Sequence, residues 1–147
     1  MTLTIRPAIA ADLNSAKKLL QDANLPTADL LSEHLAITAA TDEEVLGIIG
    51  LESFGATALL RSLVVAPGAR GSGIGPALVA ALETACACDG VSEMWLLTID
   101  ADAFFKKIGY KVRDRVDAPE VIRKTKEFSA LCPGDAVLMS KDIVCPK

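Results

Sequence analysis

Aromatic side chains are scarce in this 147-residue chain: four Phe, one Trp and one Tyr, 4% of the residues. Tyr110 is therefore the only phenol that could pass a proton. Histidine is scarcer still, with His34 alone. The four cysteines, Cys86, Cys88, Cys132 and Cys145, offer no Cys-x-x-Cys redox pair and no second pair at zinc spacing. With a single imidazole beside them, no tetrahedral zinc site and no metal is expected. Cys86 and Cys88 fall in a helical pattern, where residues two apart point in different directions, and the thiols are expected to stay reduced. No charge-free apolar run reaches the ~18 residues of a transmembrane helix. Met1-Thr-Leu-Thr-Ile-Arg6 reads as a strand, not as a basic segment followed by an apolar signal core. The expectation is a cytoplasmic protein that engages no membrane. Lys and Arg number 15 against 19 Asp and Glu, a formal charge of -4, so no basic surplus argues for nucleic acid.

What the chain does have is a core. Hydrophobic residues are 51% and charged residues 23% of it, and repeats, low-complexity tracts and linkers are missing, so a single domain over 1–147 is expected. Leu3 to Pro7 alternates like a strand. Asp12 opens a helix with Leu13, Ala16, Leu19, Leu20 and Ala23 on one face. Asn24-Leu25-Pro26 ends it, and a short second helix runs from Thr27 or Asp29 to about Leu35. Ile37–Ala40 and Val45–Ser53 form a hairpin around Thr41-Asp42-Glu43. A turn at Phe54-Gly55-Ala56 leads into a strand over Thr57–Ala66. A helix from about Gly75 to Asp89 stops at Gly90, Glu93–Thr98 is an apolar strand, and Ala101–Ile108 is a helix stopped by Gly109. Tyr110–Val112 begins another strand, a short helix starts near Pro119, and Ala136–Lys141 is the last strand. Hairpins first and alternating helices later predict an α/β (α+β) fold, a mixed and mostly antiparallel sheet with helices on both faces.

The densest signal is Arg61-Ser-Leu-Val-Val-Ala-Pro-Gly-Ala-Arg70-Gly-Ser-Gly-Ile-Gly75-Pro-Ala-Leu78. A β-branched run ends at Val65, a glycine-rich turn follows, and an Ala/Leu-rich helix begins. Strand, glycine turn and helix in that order aim main-chain N–H groups and the helix dipole at one spot, an anion cradle. Pro76 fits the first helical turn, where its missing N–H removes no intrahelical bond. A Walker loop would need Gly-Lys-Ser/Thr, but Gly75 is followed by Pro76 and Ala77. A dinucleotide fingerprint from Gly71 would need a third glycine at Pro76 and a later acid after a second strand.

The pattern that fits is Arg-x-x-Gly-x-Gly after Leu-x-Val-x-Pro, met by Arg70, Gly73 and Gly75. With Phe104-Phe105-Lys-Lys-Ile-Gly-Tyr110 in the right order behind it, the chain resembles the GCN5-related N-acetyltransferases (GNAT), most strongly over Leu59–Tyr110. That resemblance implies acetyl-CoA as cosubstrate, in a gap between the strands ending near Val65 and near Thr98. Its pyrophosphate would sit on the amides of Arg70, Gly71, Ser72, Gly73, Ile74 and Gly75, and its pantetheine arm would pair with the backbone of Leu63, Val64 and Val65. The family position often held by asparagine is Thr98, whose hydroxyl could bond the pantetheine. The tyrosine that many members use as acid to the sulfur is Phe105 here, which cannot donate; Tyr110, at the place of a structural aromatic, is the remaining candidate acid.

Acetyl transfer to an amine needs the amine deprotonated, the thioester carbonyl polarised and the thiolate stabilised. Direct transfer needs no protein nucleophile, and most of the rate can come from positioning. Glu52, in the otherwise apolar Gly50-Leu-Glu-Ser-Phe54, is the candidate base, since partial burial favours taking up a proton; the alternative is a solvent-facing Glu. Arg61, two residues before Leu63 and so expected on the same face, could clamp a substrate carboxylate or bridge to Glu52 across the strands. Pro119–Pro133, with Leu60-Arg-Ser-Leu63 and Thr98–Phe105, looks like the arsenic-resistance (ArsN-like) branch and, more loosely, the acetyltransferase domain of N-acetylglutamate synthases. Both imply a small amino-acid-like amine, with Arg61, Arg123, Thr125 and Glu127 as substrate contacts; the alternative is a helix and loop closing the sheet. Cys132 is read as packing. A non-catalytic acetyl-CoA sensor and a peptide acetyltransferase stand as rival functions, and a homodimer is implied by resemblance only.

Overall fold

The computed structural model describes residues 3–22, 35–41, 44–69, 71, 73–99, 101–125, 128 and 136–145. The expected helix from Thr27, and His34, Arg70, Ser72, Glu127 and Cys132, lie outside these. Seven strands, β1 (Thr4–Pro7), β2 (Leu35–Ala40), β3 (Val45–Phe54), β4 (Thr57–Val65), β5 (Glu93–Thr98), β6 (Lys111–Arg113) and β7 (Val137–Asp142), hydrogen-bond in the order β1-β2-β3-β4-β5-β7-β6. The helices are α1 (Leu13–Asp22), α2 (Ile74–Cys88), α3 (Asp102–Lys107) and α4 (Glu120–Arg123). The sheet is mixed as expected: β4 pairs with β5 in parallel, while β1/β2, β2/β3, β5/β7 and β6/β7 are antiparallel. Two compact units divide the chain, one of Met1–Glu52 with Leu60–Glu83, the other of Ser53–Leu59 with Thr84–Lys147.

In the first unit, Ala16 and Leu20 of α1 are buried with Leu35, Ile48 and Val64, and Ala8, Leu13, Leu19 and Val45 pack around them. From Leu13 to Leu20 the helical face read from spacing is the one that packs inward, while Ala23 lies outside the described residues; fully burying such an aliphatic side chain contributes roughly 1.5–3 kcal/mol. Asp12 does more than open α1. A 3-10 turn over Ala10–Asp12 precedes the helix, and the buried Asp12 carboxylate takes two hydrogen bonds from Arg6, at 2.9 and 3.0 Å. It accepts two more, from the Ile9 N–H at 2.9 Å and the Thr38 hydroxyl at 3.0 Å. The Arg6 guanidinium, more than the others, holds this carboxyl below its ordinary value against the opposing effect of burial. A carboxyl depressed in the native state stabilises the fold fully above the unfolded-state value of about 4, and that contribution drains away as pH falls further toward the native-state value. Asp12→Ala, which also strands the buried Thr38 hydroxyl, is expected to cost about 3 kcal/mol at pH 7 and less at pH 3, read by urea unfolding at both.

In the second unit, β5 pairs with β7 along its whole length, Glu93↔Asp142 to Thr98↔Val137. Met94 to Thr98 are all buried, as for a strand covered on both faces. Trp95 and Leu97, two apart and so on one face, join Leu59, Ala118, Ile122, Ala136 and Leu138 in a second core. The Trp95 indole N–H donates to Glu93 at 3.2 Å, and the Arg113 guanidinium stacks 5.0 Å from the ring centroid.

The end of α2 corrects the cysteine expectation. Gly90 N–H bonds the Ala87 carbonyl and Val91 N–H the Cys86 carbonyl, the paired 5→2 and 6→1 bonds of a glycine C-cap. This leaves Cys88 exposed on the last turn, where it forms a disulfide with Cys145, 57 residues on and beyond β7. Two of the four thiols are therefore oxidised. Spacing along the sequence could not reveal this, because the partner arrives through the β5–β7 pairing. Buried Cys86 takes no part in the bridge.

Candidate functional site

β4 delivers the chain to the glycine turn. After Val65, the Ala66 N–H bonds back to the Leu46 carbonyl of β3 at 2.7 Å, and a 3-10 turn covers Pro67–Ala69. Gly71 and Gly73 hold φ of +84° and +87°, a backbone state that costs other residues ~1–2 kcal/mol. The Gly73 carbonyl accepts the first helical bond, from Ala77 N–H. The N–H groups of Ile74 and Gly75 thus have no intrahelical acceptor, and Pro76 has none to satisfy. A Cβ built on Gly68, Gly71 or Gly73 meets no atom within 4 Å. The turn therefore leaves room over Gly68, Gly71 and Gly73 at the positive end of a 15-residue helix whose first amides lack intrahelical acceptors. These residues fit the pyrophosphate of CoA.

On the strands that feed the turn, Glu52 and Arg61 face each other. Arg61 Nη1 lies 3.1 Å from Glu52 Oε2, with the Arg61 side chain 4% exposed and that of Glu52 20%. The cross-strand bridge, one of the two readings of Arg61, is present. The other part of that expectation needs correction. Ser62 sits in the middle of β4 at φ +59°, which interrupts the two-residue alternation. Arg61 and Val64 are buried, while Ser62 and Leu63 are both half-buried, so Arg61 and Leu63 do not share a face by simple alternation. Arg61 Nε also donates to the Ser62 hydroxyl at 3.4 Å.

The candidates of the second unit are largely occupied by their own surroundings. The Thr98 hydroxyl accepts the Ala101 N–H at 2.9 Å, ordering the approach to α3. Gly109 N–H bonds the Lys106 carbonyl and Tyr110 N–H the Phe105 carbonyl, again a glycine C-cap, and its accompanying apolar contact is the edge-to-face pair of Phe105 and Tyr110 at 5.5 Å. Both rings are buried. Lys141 completes this corner, bonding the Ile108 carbonyl at 2.9 Å beside the Tyr110 ring. Thr125 is buried, its hydroxyl donating to the Ile122 carbonyl at 2.7 Å and accepting the Phe128 N–H at 3.2 Å. Arg123 is exposed. Among the described residues no group of three His, Cys, Asp or Glu could hold a metal ion, and no helix is long and apolar enough to cross a membrane.

One residue of the site escaped the sequence reading. Gly47, inside β3, abuts both α2 and β4: a Cβ there would meet Ile74 Cγ2 and Leu78 Cδ1 at 3.1 Å and the Val64 carbonyl at 3.3 Å. A glycine inside an apolar strand run was the available signal, since it marks close approach of another element.

The fold has solved counterparts. N-acetylglutamate synthase from Neisseria gonorrhoeae, complexed with coenzyme A and L-arginine, superposes with a TM-score of 0.81 at 18% identity, over 96% of this chain and 33% of that one. This chain thus spans about a third of the synthase's length. Rv2747 from Mycobacterium tuberculosis, solved with CoA, gives 0.76 at 18% identity over 96% and 99% of the two chains. The ribosomal-protein-S18-alanine N-acetyltransferase from Escherichia coli gives 0.70 at 17%, over 99% and 97%. No curated protein matches the sequence. The model of the acetyltransferase (GNAT) family matches residues 8–110, which hold β4, the glycine turn and α2, and the chain belongs to that family.

Proposed function

We propose that this chain transfers acetyl from acetyl-CoA to the amine of a small amino-acid-like substrate. The observation that carries the choice of substrate is the buried Arg61 guanidinium, held by Glu52 on the strands that lead into the glycine turn. Acetyl-CoA supplies an activated acyl group; the chain's own residues bind and orient. Gly71, Gly73, Ile74 and Gly75, with Arg70 and Ser72, hold the pyrophosphate, and Leu63–Val65 lie along the pantetheine arm. Arg61 receives the substrate carboxylate, and Glu52 takes a proton from the ammonium to free its lone pair; the N–C bond then forms, the C–S bond breaks, and the nitrogen's surplus proton leaves with the thiolate as CoA thiol. Arg123, Thr125 and Glu127 are further substrate contacts in this reading, with Thr98 and Phe105 beside the cosubstrate. Resemblance alone adds a role in resistance to arsenic or toxic amino-acid analogues, and a homodimer. A cytoplasmic setting also belongs to the reading, with the Cys88–Cys145 bridge as the observation that pulls against it.

A second reading, an acetyl-CoA sensor without turnover, is favoured by one feature. The usual acid is Phe105, and Tyr110 is buried against it in the α3 cap. Free-thiol release from acetyl-CoA across a panel separates the readings. The panel holds acidic amino acids, their phosphono and arsono analogues, and lysine peptides. Turnover is expected with a small amino acid or analogue. Turnover with peptides alone would move the acceptor to proteins, and tight acetyl-CoA binding without turnover would favour the sensor.

A further inference from the structure

We infer that Gly47 is a positioning residue for the CoA cradle: its missing side chain sets how closely the end of β4 and the first turns of α2 approach, and so where the cradle's amides point. The inference rests on the proposed binding of CoA at the glycine turn. β3 serves as the floor of that turn at two successive residues. The Leu46 carbonyl fixes Ala66, the first residue past β4, through a 2.7 Å bond. Gly47, the next residue, has no side chain at the point where Ile74 and Leu78 of α2 and the Val64 carbonyl of β4 converge.

A methyl group at Gly47 would meet three atoms at 3.1 to 3.3 Å, closer than a settled carbon contact of 3.5–4.0 Å. The Leu78 methyl can turn aside. Ile74 Cγ2 cannot do so freely, because β-branched side chains in helices hold one χ1 rotamer, and the Val64 carbonyl belongs to the strand. The least costly response is for the start of α2 to lift from β3. Ile74 is the first residue of α2 and one of the two orphan amides of the cradle, so that movement shifts the anion site. Gly47 touches no ligand in this account; it acts through Ile74.

The test is calorimetric titration of CoA into the wild type, Gly47→Ala, Gly47→Val and Gly47→Ala/Leu78→Ala, with unfolding midpoints on the same samples. Kinetics then split KM for acetyl-CoA from kcat. Gly47→Ala is expected to weaken CoA about fivefold and Gly47→Val about fiftyfold, with kcat at saturating acetyl-CoA within about twofold of wild type, because an error in placement is paid in binding. Leu78→Ala should recover little of the loss in the alanine variant, because the Leu78 methyl already turns aside while Ile74 Cγ2 and the Val64 carbonyl stay in place. Unchanged CoA affinity in a folded Gly47→Val would overturn the inference, even if its midpoint fell, since Gly47 would then be a packing residue only. Failure of the wild type to bind CoA would instead overturn the cradle reading on which it rests.

Discussion

Arg61→Ala is expected to lower kcat/KM for the amine about a hundredfold while CoA affinity stays within about twofold, since a charge-assisted bond to a substrate carboxylate is worth roughly 1.5–3 kcal/mol. The proposed role rests on an unusual combination. Arg61 is 5% exposed on the strand that runs into the glycine turn, yet its guanidinium is paired with a carboxylate that keeps some contact with solvent. Removing it also leaves Glu52 without this partner, which costs stability; breaking a buried pair is worth roughly 3–5 kcal/mol, and less here because Glu52 is partly exposed. CoA titration on the same samples separates a lost clamp from a lost fold. Arg61→Lys keeps the charge and loses the planar fork, so it should restore stability better than turnover. A variant that binds CoA and acetylates at the wild-type rate would remove Arg61 from the substrate site and leave the Glu52 bridge as its whole role.

Gly73→Val should be the most damaging single change for cosubstrate binding, with Kd for CoA raised about a hundredfold. At φ +87° a β-branched residue is strained by roughly 1–3 kcal/mol. Relaxing to negative φ would swing the Gly73 carbonyl off Ala77 and turn the neighbouring Ile74 amide away. The open space around a Cβ at this position means that no protein atom obstructs the new side chain; the loss falls on backbone conformation and on the ligand. Gly68→Val is the matched control. Its Cβ also meets nothing within 4 Å and its backbone lies outside the left-handed range, so CoA affinity should change by no more than about twofold, as for an ordinary surface substitution. Equal losses in the two variants would mean that side-chain bulk, and not the left-handed turn, governs the site.

The parts of this protein legible in its sequence are those whose cause is local. A run of apolar residues between turns bounds β5 at Glu93 and Thr98, and Gly90 and the glycine turn bound α2 to within a residue. The Glu52–Arg61 bridge was one of two readings, available because both residues interrupt apolar strands joined by a short turn. What stayed hidden depends on partners far along the chain. Asp12 reads as a helix opener until Thr38, 26 residues away, is brought onto its carboxylate. The kink at Ser62 leaves no compositional trace, since serine is not the residue that a left-handed strand position calls for. Phe105 and Tyr110 stand where proton-transfer chemistry is expected, but their spacing around Gly109 equally specifies a helix cap with its apolar contact.

The bridge from Cys88 to Cys145 has a mechanical consequence. Tension applied to the two chain ends passes from α2 straight to the last residues through sulfur, bypassing β5, β6 and β7 altogether. The loop between the cysteines, whose ends are 57 positions apart in sequence, holds on the order of 190 Å of extended length that stays out of reach while the bridge is intact. That loop can be melted by heat or denaturant, but it cannot be unzipped by a pull.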